Sequence, residues 1–114
     1  MHDLTQQKCA PCEGGTAPLT SKDREFAIYR EQVPAWNVSS DEKSIERDFP
    51  FKNFKKALEF VNKVGEVAES EGHHPDIFLH NWKKVRVTLS THAIKGLSVN
   101  DFILAAKVDD LVTK

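Results

Sequence analysis

The sequence predicts an α+β fold in which helices pack on one face of a four-stranded antiparallel sheet, in the order α-β-β-α-β-β-α. Three observations carry this reading. Two stretches alternate apolar and polar residues with the two-residue period of half-buried strands, and each is long enough for a hairpin. Between them Phe54, Ala57, Leu58, Val61, Val64, Val67 and Ala68 recur at helical spacing, an apolar stripe on one long helix. The segments outside the hairpins open with residues that cap helices.

Taken in order, residues 1–18 show no sustained periodicity and are punctuated by Pro11, Gly14, Gly15 and Pro18, which predicts a flexible N-terminal arm. Residues 19–114 form the single domain expected of a chain of 114 residues. Thr20 is placed to cap a first helix over about 21–32, which Pro34 stops. Trp36 and Val38, then Ile45, Arg47 and Phe49, alternate on either side of a polar turn at Ser39–Lys43. The long helix ends at Gly72 and Pro75. Ile77 and Leu79, then Val85, Val87 and Leu89, give the second hairpin. A turn around Trp82, Lys83 and Lys84 sets Leu79 opposite Val87 and Ile77 opposite Leu89, with all four on one face. Ser98 caps the last helix with Asp101 in its first turn, and Phe102, Ile103 and Ala106 point inward.

Composition narrows the function. The formal net charge is -1, so no basic surface advertises nucleic acid as a partner. No apolar run approaches the ~20 residues of a membrane span, and the N-terminus lacks the basic and apolar pattern of a secretory signal. A cytoplasmic protein is expected. Cys9 and Cys12 form a lone C-x-x-C; zinc needs two more ligands and a thioredoxin-like site needs a βαβ unit, so two unpaired thiols are the simpler reading.

The histidines are unevenly placed. His73 and His74 precede the third strand and His92 follows the fourth, and antiparallel pairing brings the start of one strand to the end of the next. Three imidazoles should therefore share one rim, at the C-terminal end of the long helix. Imidazole, with an ordinary pKa of about 6.5, both gives and takes a proton near neutrality. Spacing alone leaves alternatives open: solvated helix-end histidines, or zinc held by three imidazoles, although adjacent residues on an extended segment point to opposite sides. His2 and His80 read as solvated side chains.

The run Glu69-Ser70-Glu71-Gly72-His73-His74-Pro75, then Trp82, Thr88-Leu89-Ser90-Thr91-His92 and Asp101, resembles the signature of the pterin-4a-carbinolamine dehydratases. The likeness extends to Trp36, to Phe51-Lys52-Asn53-Phe54, and to the Pro11-Cys12-Glu13-Gly14-Gly15 arm of bacterial-type members. It covers nearly the whole chain. The link between the two histidine segments is one residue longer than in animal members, near Trp82. The resemblance implies conversion of 4a-hydroxytetrahydropterin to quinonoid dihydropterin and water, without metal or organic cofactor. It implies His73 and His92 as general acids, His74 as the residue that binds and orients the pterin, and Asp101 as a support for His92. Further pterin contacts are implied at Gly72, Ser90, Thr91 and Ala93. A small sheet has edges to hide, so pairing with further copies as a homodimer or homotetramer is expected. Animal members additionally serve as a dimerisation cofactor for a transcription factor, so a non-enzymatic regulatory protein is the alternative, as is a site for another small heterocycle.

Overall fold

Each hairpin forms where the two-residue period predicts it, and the long helix where the period changes. The computed structural model describes residues 4–10 and 17–113. Its elements are α1 (Arg24–Gln32), β1 (Asn37–Val38), β2 (Ile45–Pro50), α2 (Phe54–Glu71), β3 (Asp76–His80), β4 (Lys84–Leu89) and α3 (Val99–Thr113), with short 3-10 turns at Leu4–Gln6 and His92–Ile94. The strands make one antiparallel sheet in the order β1-β2-β4-β3. Ile45, Phe49, Val85, Val87 and Leu89 are buried on the helix side, while Asp48, Lys84 and Phe78 stand exposed. No helix among the described residues is long and apolar enough to cross a membrane.

Four details differ from the sequence reading. First, α1 begins at Arg24 because Thr20 opens a turn instead of capping the helix. The Asp23 side chain accepts from the Thr20 amide at 2.9 Å, and the Asp23 amide donates to the Thr20 carbonyl at 2.9 Å.

Second, the buried face of α2 is rotated relative to the expected stripe. Ala57, Phe60, Val64 and Ala68 are buried, while Phe54 and Leu58 are 48% and 40% exposed. Phe60 takes the central place because Phe49 and Phe51 close on it, with ring centroids 4.7 and 4.9 Å away.

Third, the second hairpin is shifted by two residues, pairing Ile77 with Val87 and Leu79 with Val85. The turn is Asn81–Lys83, with Asn81 and Trp82 at positive φ of 48° and 52°. A shift of two preserves the face of every side chain, so the apolar set remains inward.

Fourth, α3 is a central helix. Phe102, Ile103, Leu104, Ala105, Ala106 and Val108 are all buried, because α1, α2 and the Leu4–Gln6 turn each pack against it.

That turn belongs to the expected flexible arm. Residues 4–10 lie against the domain, with Leu4 fully buried and its amide donating to Gln32 Oε1 at 3.0 Å. Further on, the Cys9 amide donates to Glu71 Oε1 at 2.8 Å, and Lys107 donates to the same carboxylate at 2.7 Å. Residues 11–16, including Cys12, lie outside the described residues, as does His2. Cys9 is half-buried with Sγ 3.6 Å from the Asn100 carbonyl, and burial, reinforced by the Glu71 charge, pushes its thiol up to about 12. Such a thiol is a poor nucleophile near neutrality.

At the far end of α3, Asp109 accepts from Trp36 Nε1 at 2.8 Å and from Arg47 at 2.6 Å, fixing the helix to β2 and to the residue before β1. Burial holds the Asp109 carboxyl above its ordinary range despite these two donors.

Two expectations follow from the packing of residues 4–10. Leu4→Ala should lower unfolding free energy by about 2–5 kcal/mol in urea titrations, the usual loss for a truncated core side chain; an unaltered midpoint would show that Leu4 is not part of the core. The pH dependence follows from Glu71. Burial opposes its ionisation, but the hydrogen bonds from Lys107 and the Cys9 amide outweigh it and hold the carboxyl below its ordinary 4.5. A lowered folded value adds stability above the unfolded value, and that stability is lost as pH falls through the folded one. Glu71→Gln should therefore flatten the decline in stability below about pH 4.5, as read from denaturation midpoints against pH.

Candidate active site

Helix α2 ends where Gly72 turns left-handed, at φ 67°. Its amide donates to Glu69 O at 3.3 Å and the His73 amide to Ala68 O at 3.2 Å, a Schellman closure that needs a residue without a Cβ penalty. The chain then reverses through His73 and His74 into β3. Across the sheet, β4 runs out through Ser90 to Thr91, whose amide donates to the Gly96 carbonyl at 2.8 Å. This closes the 3-10 turn that carries His92 and Ala93 outward. Position 96 must be glycine, since a Cβ there would come within 2.6 Å of the Pro18 Cβ.

These segments line a pocket of about 260 Å³. Gly72, His73 and His74 supply one side, and Ser90, Thr91, His92 and Ala93 the other. All three histidines singled out in the sequence thus face one hollow, together with every contact residue named there. Two lining residues were not anticipated. Asn100 comes from the first turn of α3, and Ala10 from the N-terminal segment that the sequence predicts to be flexible. Neither has a local sequence signal, because what brings them to the pocket is tertiary packing. The observed register, counted on from Asp76 opposite Thr88, directs His74 and His73 toward Ser90 and Thr91 and not straight across from His92.

Asp101 is not a lining residue. It is fully buried behind His73, and its Oδ1 lies 2.6 Å from His73 Nε2. The resemblance sets it beside His92; in the structure the histidine it meets is His73. Its other oxygen, Oδ2, accepts from the Ser98 amide at 3.0 Å and from the Thr91 hydroxyl at 2.9 Å. Because Thr91 donates there, the 2.8 Å contact between the Thr91 and Ser98 hydroxyls must run from Ser98 to Thr91. Ser98 Oγ in turn accepts from the Asn100 amide at 3.2 Å. Ser98 and Asp101 together make a capping box, so the helix cap and the support of His73 are one network.

An acceptor-only carboxylate at Nε2 calls for a proton on that nitrogen, which leaves Nδ1 as the ring nitrogen not committed to Asp101. His73 keeps only 12% of its side chain exposed. His74 is different: its Nε2 lies 2.7 Å from Glu69 Oε1, and both side chains are mostly solvent-exposed, a surface contact of small energetic weight. Among the described residues no three His, Cys, Asp or Glu side chains converge as metal ligands. A hollow of about 330 Å³ between β2, α2 and the end of α3 contains no histidine, its charged groups being Lys56, Glu59 and Lys63.

Comparison with known proteins gives the family. The family model described as pterin 4 alpha carbinolamine dehydratase matches residues 17–111. A protein of Alkaliphilus metalliredigens is 51% identical over 110 residues, covering 96% of each chain. One of Methylococcus capsulatus is 47% identical over 111 residues, covering 97% of this chain and 95% of its own. Both are named, provisionally, as pterin-4-alpha-carbinolamine dehydratases. Among solved structures, the Brucella melitensis protein described as a transcriptional coactivator/pterin dehydratase superposes with a TM-score of 0.74 at 30% identity, covering 82% of this chain and 97% of that one. A pterin dehydratase-like RuBisCO assembly factor of the alpha-carboxysome shares the fold, with a TM-score of 0.58 at 23% identity, covering 68% of this chain and 88% of that one. With a family match across most of its length and relatives near half identity, the chain belongs to the pterin-4-alpha-carbinolamine dehydratase family.

Proposed function

We propose that this protein dehydrates a 4a-hydroxytetrahydropterin by histidine acid–base chemistry, giving quinonoid dihydropterin and water in the recycling of a tetrahydropterin such as tetrahydrobiopterin. The observation that carries the reading is the pairing of His73 with a fully buried Asp101 at the rim of a pocket that His74 and His92 also line. A volume of about 260 Å³ lies just under the usual span of ligand pockets, roughly 300–1,000 Å³, which suits a small flat bicycle better than a larger ligand.

The reaction breaks the carbon–oxygen bond of the hydroxyl and removes a proton from the neighbouring ring N–H, so that a C=N bond forms and one water leaves. Hydroxide departs poorly, so a general acid must protonate the oxygen as the bond breaks. His73, held through Nε2, and His92, on the opposite segment, are the two acids, one for each face of the ring. His74 binds and positions the pterin, and Gly72, Ser90, Thr91 and Ala93 provide the surrounding wall. Asp101 keeps the His73 ring in one orientation and is a positioning residue. No metal or organic cofactor has a step in this sequence.

The same reading includes self-association as a homodimer or homotetramer. Phe54 and Leu58 on α2 and Phe78 on the edge strand β3, 48%, 40% and 56% exposed, give apolar surface that a second copy would cover.

His73→Ala and His92→Ala should each reduce turnover of the carbinolamine isomer whose hydroxyl that histidine faces by about 10²–10⁴-fold, the usual span for one acid–base group. The double variant should be nearly inactive while retaining its far-ultraviolet dichroism. Undiminished turnover in the double variant would refute the mechanism, and loss of wild-type turnover on chelation would replace it with a metal-assisted one. Asp101→Asn should lower kcat on the order of 10²-fold with little change in pterin binding; an unchanged kcat would remove Asp101 from the site.

A further inference from the structure

The pocket has a wall that none of the histidine segments supplies. Ala10 lines it from the N-terminal segment, and it reaches that place because two consecutive residues are held by the backbone. The Cys9 amide donates to Glu71 Oε1 at 2.8 Å. The Ala10 amide donates to Asn100 Oδ1 at 3.0 Å, and Asn100 Nδ2 returns a 2.5 Å bond to the Ala10 carbonyl. Asn100 is itself joined to the His73 support, since its amide donates to Ser98 Oγ. Glu71 does not line the pocket. It sits at the end of α2, one residue before Gly72, with its carboxylate 7% exposed and bridged to Lys107 of α3. Farther back the segment is anchored by the buried Leu4. Ala10 lies six positions beyond the core anchor Leu4, and Cys9 and Ala10 are fixed by side chains from two different helices.

We propose that residues 4–10 form a fixed strap that completes the pterin pocket, with Glu71 as the positioning residue that holds it and Ala10 as the residue that limits the size of the ring substituent admitted. This rests on the dehydratase reading for the identity of the ligand. Alanine keeps the wall low, and an indole at position 10 would fill much of a hollow of about 260 Å³. Backbone-to-side-chain clamping is also what makes the wall sequence-tolerant except in size, because the Cys9 and Ala10 contacts with Glu71 and Asn100 use main-chain groups.

The test compares the full chain with Glu71→Ala, Glu71→Gln and Ala10→Trp. It reads dehydration of generated 4a-hydroxytetrahydropterin together with the rate of His73 carbethoxylation by diethyl pyrocarbonate, measured against free N-acetylhistidine in the same reagent. Glu71→Ala should raise KM about tenfold with kcat within about twofold, and Glu71→Gln, which keeps an oxygen for the Cys9 amide, should recover most of the loss. Ala10→Trp should raise KM by about tenfold or more and slow His73 modification, whereas Glu71→Ala should speed it. Wild-type KM in both Glu71→Ala and Ala10→Trp overturns the strap while leaving the dehydratase reading intact. Absence of turnover in the unsubstituted protein refutes that reading instead, and His73 modification then decides the strap alone: rate changes of opposite sign sustain it, and equal rates overturn it. Should Glu71→Ala not fold, Ala10→Trp carries the same decision, because Ala10 is exposed and its clamps are main-chain.

Discussion

The arrangement of the pocket depends on one buried carboxylate. Asp101 is fully removed from solvent, and a charge in that position is tolerated only when its oxygens are met by donors. Here the donors come from three places in the chain: the Ser98 amide at the start of α3, the Thr91 hydroxyl beyond β4, and His73 before β3. Satisfying the charge therefore draws together the segments that must meet for the histidines to share a hollow. A fully connected buried network of this kind specifies one geometry, because each broken link leaves a polar group unpaired in a medium where that is expensive. The requirement of stability and the requirement of site geometry are the same requirement at this residue.

Helix α3 transmits that constraint to the rest of the fold. It is buried on nearly all sides and carries a second carboxylate, Asp109, two turns or so beyond Asp101. Asp109 ties the other end of the helix to Trp36 and to Arg47 of β2, so the sheet is fastened to α3 at both ends by carboxylates on the same helix. Between them Phe102 packs against Phe26 and Tyr29, with centroids 5.7 and 5.8 Å away. The capping box at its N-terminus is what lets one element serve both purposes: Ser98 and Asp101 cap the helix, and Asp101 at the same time meets His73 from behind the pocket.

Much of this was legible in the sequence, for identifiable reasons. A two-residue period can be read only as a half-buried strand, so the hairpins at β1–β2 and β3–β4 and the antiparallel sheet were visible, as was α2 from its apolar recurrence. Register was less legible. Residues 77 and 79 pair with 87 and 85, two positions from the expected partners, because the loop closes at Asn81–Lys83 through two left-handed residues, one of them a tryptophan. Both registers put the same side chains inward, and periodicity cannot choose between them. The buried face of α2 is ambiguous in a similar way. Ala57, Phe60, Val64 and Ala68 also fall at helical spacing, and what selects them over Phe54 and Leu58 is the pair of sheet-side aromatics Phe49 and Phe51.

The pocket's residues divide along the same line. His73, His74 and His92 stand near strand ends whose antiparallel relation follows from the fold class, so their common location could be reasoned out. Asn100 and Ala10 could not, because they arrive through contacts ninety residues apart in the chain. The partner of Asp101 was likewise a tertiary matter, and the structure gives it to His73. The most direct test of the whole account is a long-range proton–nitrogen correlation spectrum of the imidazoles under alkaline conditions. The account expects His73 as the Nε2–H tautomer, with an exchange-protected ring proton held by Asp101. A His73 ring protonated at Nδ1, or one exchanging its ring proton as fast as exposed His74, would contradict it.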